Sequence, residues 1–357
     1  MYLHSMGHFH PENVIDNAFL ESLDIGVDDG WILKRLGIRT RHTVLPLDYI
    51  RQERNRNLAA TEEAALYTNA ATGALAARMA IEGAGLTPKD IGLVISGSSA
   101  PSICSPAEAC SVAAELGLEV PAFDLNSACA TFIAQLWNVS MMNPHRAPDF
   151  ILLVQPENLT RIVDYNDRTN AVLMGDCSTA AIVSLTVPSA VHVGFTTIHS
   201  SPSGWETAVI PVRGHFRQNG LAVHKFAIRR TVEMLQTLSG PAESNGYFIG
   251  HQSNLSMLNA VCERMDIPDE RHLYNVDKFG NCGSAGAISV LSQNWQRFSE
   301  HDHISMAVVS AGLTWGGASL KVISTPSRNG SAASNPVTVW DPANRTSGSP
   351  LFSNSGT

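Results

Sequence analysis

The chain has 357 residues, 44% of them hydrophobic and 16% charged, with 27 Gly, 18 Pro and a net charge of −8. This is the profile of a globular protein built as one large α/β unit or two average domains, and it excludes a disordered chain. An acidic chain without basic runs gives no footprint for nucleic acid, and no run of about 18 apolar residues is present to span a membrane.

Residues 1–11 lack a basic start followed by an apolar stretch, so they do not read as a secretion signal, and the expected location is the cytoplasm. The irregular spacing of His4, His8 and His10 in this segment gives no metal-ligand pattern. Six cysteines (Cys104, Cys110, Cys129, Cys177, Cys262, Cys282) lie scattered without a CxxC pair, which speaks against a zinc site and a secreted disulfide scaffold. They are expected to be reduced.

In chain order, small and apolar residues predict a helix over 61–84, ended by Gly85, then a buried strand over 90–96 that opens into a Gly/Ser-rich loop. Further strands are expected over 150–154 and 180–185, then a helix over 226–238 followed by a strand over 247–250. The alternation is that of helices packed on a buried sheet. Two segments echo each other: Phe123-Asp-Leu-Asn-Ser-Ala-Cys129-Ala-Thr-Phe and Phe279-Gly-Asn281-Cys-Gly-Ser-Ala-Gly-Ala-Ile each place a sharp turn before a helix of small residues. Unless the echo is chance, it predicts a duplicated βαβ core with two central buried helices. The expected division is an N-terminal half over 1–185, a C-terminal half over 186–325 and a flexible tail over 326–357, which is rich in Ser, Asn, Gly and Pro.

Three residues carry candidate chemistry. Cys129 stands where a strand turns into a helix, so the helix dipole and unpaired N–H groups are expected to favour its thiolate; the alternative is a small apolar filler. His251 follows the 247–250 strand, at a C-terminal end where α/β proteins place reactive groups, although a lone histidine there can also be structural. Asn281 stands at a helix start, where a cap is the plain alternative.

These pieces together resemble the ketoacyl synthase III family of the thiolase superfamily over about residues 1–325. They occur in family order: Asp29-Gly-Trp-Ile-Leu-Lys-Arg35-Leu-Gly-Ile-Arg-Thr-Arg-His, Asp124 to Cys129, Gly175-Asp176, His251-Gln-Ser-Asn254, Gly280-Asn281 and Gly312-Leu-Thr-Trp-Gly316. The resemblance implies a homodimeric five-layered αβαβα thiolase-like fold with a Cys129, His251, Asn281 site, and no cofactor beyond a coenzyme A thioester as substrate. Cys129 would take an acyl group from acyl-CoA. A malonyl thioester, malonyl-ACP or malonyl-CoA, would then lose CO₂ and attack, its enolate oxygen held by His251 and Asn281. Backbone N–H groups of Cys129 and Ala311 would serve the second oxyanion. Trp31 would stack on adenine, Arg35 and Arg168 would meet its base or phosphates, and Asn254 would hold the pantetheine arm.

Three positions depart from the family pattern. Ser256 stands where a basic residue usually helps dock acyl carrier protein, leaving Lys225, Arg229 and Arg230 as the candidate basic patch. Ser105 replaces a large aromatic that closes the acyl pocket across the dimer, which implies a donor longer than acetyl. Ser310-Ala311-Gly312 replaces a glycine triplet, so Ala311 must avoid Gly-only angles. Acyl transfer from Cys129 to a hydroxyl or amine is the competing reading; a non-catalytic partner subunit ranks below it, and a degradative thiolase lacks a late second cysteine.

Overall fold

The computed structural model describes residues 1–238 and 246–326. The expected tail over 326–357 lies outside the described residues save for Pro326.

Nine strands form the sheet: β1 (Tyr2–Phe9), β2 (Ile91–Ser96), β3 (Ala122–Asp124), β4 (Phe150–Asn158), β5 (Asp176–Ser184), β6 (Val191–Ser200), β7 (Gly246–Gly250), β8 (His303–Ser310) and β9 (Thr314–Val322). Their order is β7-β8-β9-β6-β1-β5-β4-β2-β3. The two halves repeat: β2 runs parallel to β4, which pairs antiparallel with β5 and then β1, while β7 runs parallel to β8, which pairs antiparallel with β9 and then β6. Within the sheet the halves join where Tyr2 and Leu3 of β1 pair with His192 and Val191 of β6.

The principal helices are α1 (Asp29–Leu36), α2 (Asn69–Gly83), α3 (Glu108–Glu115), α4 (Thr131–Ser140), α5 (Gly220–Leu238), α6 (Leu255–Met265) and α7 (Ala285–Gln293). Helices α2 and α3 pack on the outer face of the β1, β2, β4, β5 half, and α5 on the outer face of β8 and β9. Helices α4 and α7 lie between the halves, α4 against β4, β6 and β9, and α7 against β1, β5 and β7. This is the five-layered αβαβα thiolase-like arrangement. The small-residue composition of α7 explains its place: all eight residues from Ala285 to Ser292 are buried, so both neighbouring sheets close on its backbone.

The boundaries differ from the local pattern in four places. The expected helix over 61–84 breaks into Leu58–Ala64 and α2, because the Thr68 hydroxyl caps α2 by accepting from Ala71 N at 3.1 Å. Strand β4 continues past the expected end at Val154 through Pro156, Glu157 and Asn158. Helix α5 begins six residues before Phe226, at Gly220. The N-terminal segment is a strand of the sheet interior, flanked by β5 and β6. Its histidines make separate contacts: His4 Nε2 meets Val187 O at 3.1 Å, His8 Nδ1 meets Ser292 Oγ at 2.9 Å, and His10 stacks on Phe279. Among the described residues no group of three His, Cys, Asp or Glu is arranged to hold a metal, and no helix is long and apolar enough to cross a membrane.

Candidate active site

The turn before α4 is set by its own side chains. Asn126 Oδ1 accepts from Ala128 N at 2.8 Å, and Thr131 Oγ1 accepts from Ser127 N at 2.9 Å while donating to Ala128 O at 2.7 Å. Ala128 is held at φ +46°, a strained angle for a residue with a β-carbon. That strain is tolerated because the turn is bonded from both sides, and it puts Cys129 just ahead of the first turn of α4.

His251 comes directly off β7, its N–H donating to Ala307 O of β8 at 3.1 Å. The next residue locks the turn: buried Gln252 donates to Gly250 O at 2.8 Å and accepts from Asn275 N at 3.1 Å and Val276 N at 3.2 Å. Asn281 is fixed by backbone pairing, with its N–H on Leu173 O at 2.9 Å and its carbonyl taking Gly175 N at 3.1 Å. Glycine is needed at 175 for that approach, since a β-carbon there would sit 2.0 Å from Phe279 O. The Asn281 side-chain oxygen accepts from Gly283 N at 3.0 Å, which leaves its amide N–H groups as the free end of the carboxamide.

These groups open on one cavity of about 650 Å³. Its lining includes Cys129, His251, Asn281, Ala311, Trp31, Arg35 and Asn254. Asn254 caps α6, its Oδ1 accepting from Met257 N at 2.7 Å, so its amide is again the end left for a ligand. At the rim the Arg35 guanidinium lies 4.6 Å and that of Arg168 5.5 Å from the Trp31 ring centroid. Two cations against one indole make a platform for a planar base with charge at hand for phosphates. Arg168 is outside the cavity lining and reaches the site only through Trp31. Ala311 is not among the residues of positive φ; the next residue, Gly312, takes φ +125°.

Electrostatics corrects one expectation. The Cys129 thiol is pushed up to about 12, by burial first and by the Glu157 carboxylate second, with its own backbone N–H pulling the other way. Burial and Glu157 thus work against the thiolate expected at the helix start, while Cys129 itself is half-buried and lines the cavity. Loss of hydration and a neighbouring negative charge outweigh what the helix end supplies. His251 is pushed down to about 4 by burial, so it is a neutral imidazole, and its buried Nδ1 finds no partner among the described residues.

The sequence pattern of 3-oxoacyl-[acyl-carrier-protein (ACP)] synthase III matches residues 123–202, and that of the C-terminal part of the same enzyme matches residues 240–322. The β-ketoacyl-[acyl-carrier-protein] synthase III of Oceanobacillus iheyensis is 30% identical over 322 residues, covering 88% of this chain and 96% of that one. The chain belongs to the β-ketoacyl-[acyl-carrier-protein] synthase III family. The enzyme of the same name from Campylobacter fetus is 30% identical over 345 residues, 89% of this chain and 97% of its own. The solved 3-oxoacyl-[acyl-carrier-protein] synthase III of Aquifex aeolicus superposes with a TM-score of 0.79 at 28% identity, over 90% of this chain and 99% of that one. The protein is thus a condensing transferase of the ketoacyl synthase III type.

Three residues of this synthase support the site without a local signal to mark them. Arg41, fully buried, donates to Val172 O through both Nε and Nη2 and to Asn17 Oδ1 at 2.7 Å, holding the segment on which Asn281 pairs. Ser310 Oγ donates to Ser127 O at 2.8 Å and so ties the end of β8 to the nucleophile turn. Glu157, fully buried, accepts from Ser98, Ser99 and Ser284 beneath the cavity.

Proposed function

We propose that this synthase takes an acyl group longer than acetyl from acyl-CoA onto Cys129 and extends it with a malonyl thioester to a 3-ketoacyl thioester. In the first half-reaction a carbon–sulfur bond to Cys129 forms, the bond to coenzyme A breaks, and the Cys129 proton leaves with the departing thiol. In the second, the malonyl group loses CO₂, and the enolate oxygen takes N–H donors from His251 Nε2 and the Asn281 amide. The enolate carbon then attacks the acyl carbon, the new oxyanion meets the backbone N–H groups of Cys129 and Ala311, the carbon–sulfur bond breaks, and the departing Cys129 thiolate takes a proton from water. Trp31, Arg35 and Arg168 would seat the nucleotide of coenzyme A, and Asn254 the pantetheine arm. No metal or prosthetic group is required by these steps.

The observation that carries the reading is the opening of Cys129, His251 and Asn281 on one cavity. A free carboxamide end at Asn281 favours condensation over simple acyl transfer to a hydroxyl or amine, which makes no enolate. A longer chain is favoured by small, exposed Ser105, and by a second cavity of about 940 Å³ that shares Ser99 and Ile210 with the first. The malonyl carrier is ACP or coenzyme A. Arg229 and Arg230 both pair with Glu233, at 3.9 and 2.6 Å, which weakens the basic patch an acidic carrier protein would need. A homodimer fits the edge strand β3, where Phe123 is 40% exposed; the cytoplasm is the compartment that goes with this reading. The test is a steady-state assay with octanoyl-CoA or acetyl-CoA and malonyl-CoA or malonyl-ACP, following CO₂ and product. One CO₂ per 3-ketoacyl thioester, with octanoyl-CoA preferred, is expected; acetyl preference would overturn the chain-length reading, and transfer without CO₂ the condensation reading.

A further inference from the structure

Glu157 directly follows Pro156 and is the penultimate residue of β4, and it is fully buried in a chain where only 16% of residues are charged. Burial of a carboxyl group is costly unless its lone pairs are filled. Five donors fill these: Oε1 accepts from Ser99 Oγ at 2.9 Å, Ser284 N at 3.1 Å and Ser284 Oγ at 2.6 Å, while Oε2 accepts from Ser98 Oγ at 3.2 Å and Ser99 N at 2.9 Å. None of the ion pairs among the described residues involves it. Its contacts run to the loop after β2 on one side and to the start of α7 on the other.

The second contact leads to Asn281. Ser284 directly follows Gly283, whose N–H orients the Asn281 carboxamide at 3.0 Å. Gly283 lies at φ +55°, and a β-carbon there would come 3.0 Å from Glu157 Oε1, so the turn rests on the carboxyl group itself. Ser99, on the first side, lines the cavity with Cys129 and Asn281, whereas Glu157 does not.

We propose that Glu157 is a positioning residue for decarboxylation: by clamping the Gly283-Ser284 turn it aims the Asn281 amide N–H at the developing enolate oxygen. This rests on the condensation reading above. Glu157 touches no substrate in this role, and its charge, which pushes the Cys129 thiol up, does not assist loading, so only the loss of CO₂ depends on the clamp. A carboxylate is suited because it alone offers acceptors to all five donors; a carboxamide turns one end into a donor and leaves an N–H or hydroxyl facing it unpaired.

The experiment separates the half-reactions in Glu157→Gln, Glu157→Asp and Ser284→Ala. Acyl loading is read as mass added by octanoyl-CoA, and decarboxylation as CO₂ released from malonyl-CoA by the loaded protein. Glu157→Gln should load at the parent rate or faster, since the charge that pushes the Cys129 thiol up is gone, and release CO₂ about 10- to 100-fold more slowly, less than the 10²–10³ expected when an oxyanion donor is removed outright. Ser284→Ala should show a smaller loss in the same half-reaction, and Glu157→Asp should recover part of it. Unchanged CO₂ release in Glu157→Gln, or equal losses in both half-reactions, would overturn the proposal. If Glu157→Gln does not fold, Ser284→Ala and Glu157→Asp decide by the same split. A parent protein that loads but never releases CO₂ refutes the condensation reading, and this role falls with it.

Discussion

Replacing Asn281 by Asp keeps the shape of the side chain and the bond from Gly283 N, but puts an acceptor oxygen where the free amide stood. Asn281 is 6% exposed and its carboxamide is held by the Gly283 N–H, so a mobile water in the cavity does not reproduce the preorganised donor. Loss of one preorganised donor to an oxyanion costs about 10²–10³ in rate, roughly 2.7–4 kcal/mol. The carboxylate adds repulsion against the enolate, about 4 kcal/mol for unit charges some 4 Å apart at an effective dielectric near 20. Asn281→Asp is therefore expected to lose at least about 10⁴ in CO₂ release, and Asn281→Ala about 10²–10³. Both variants should still take an acyl group on Cys129, because that step makes no enolate. The assay is mass spectrometry of the loaded protein beside CO₂ release from malonyl-CoA. If either variant decarboxylates within tenfold of the parent, or if loading falls as far as decarboxylation, Asn281 does not stabilise the enolate.

The His251 imidazole, held at about 4 by burial, should show no NMR titration between pH 5.5 and 8. Its protonated fraction grows only as pH falls toward 4, so any activity loss from His251 lies on the acid side, and an inflection near 6.5 would contradict this. Alkylation of Cys129 by iodoacetamide should still be rising at pH 10, since burial and Glu157 hold the thiol at about 12; a plateau below pH 8 would restore the thiolate at rest. Arg35→Ala should raise KM for the acyl-CoA about tenfold, the worth of one charge-assisted contact, with kcat nearly unchanged. Gly175→Ala forces a β-carbon to 2.0 Å from Phe279 O and should cost about 1–3 kcal/mol in urea unfolding, with CO₂ release impaired through Asn281.

The duplicated core was legible because its signs are local. A sharp turn before a helix of small residues occurs twice, and each leads into one of the two central helices, α4 and α7. Cys129, His251 and Asn281 stand at strand ends or helix starts, where a few neighbours define the surroundings. Strand β1 was hidden because Tyr2-Leu-His-Ser-Met-Gly-His-Phe9 mixes polar and apolar residues, and its polar ones find partners such as Val187 and Ser292 far along the chain. Glu157 was hidden for the same reason: its partners Ser98, Ser99 and Ser284 are 59, 58 and 127 residues away. The Cys129 thiolate was expected from a helix dipole that the local sequence displays, whereas the burial and the carboxylate that oppose it come from other strands and helices.

Incubation of the protein with a panel of acyl-CoAs, followed by mass analysis of the peptide that carries Cys129, tests the acyl-enzyme directly. A single acyl mass on that peptide, absent from Cys129→Ala, is predicted. Acyl mass on another cysteine, or its survival in Cys129→Ala, would contradict the account.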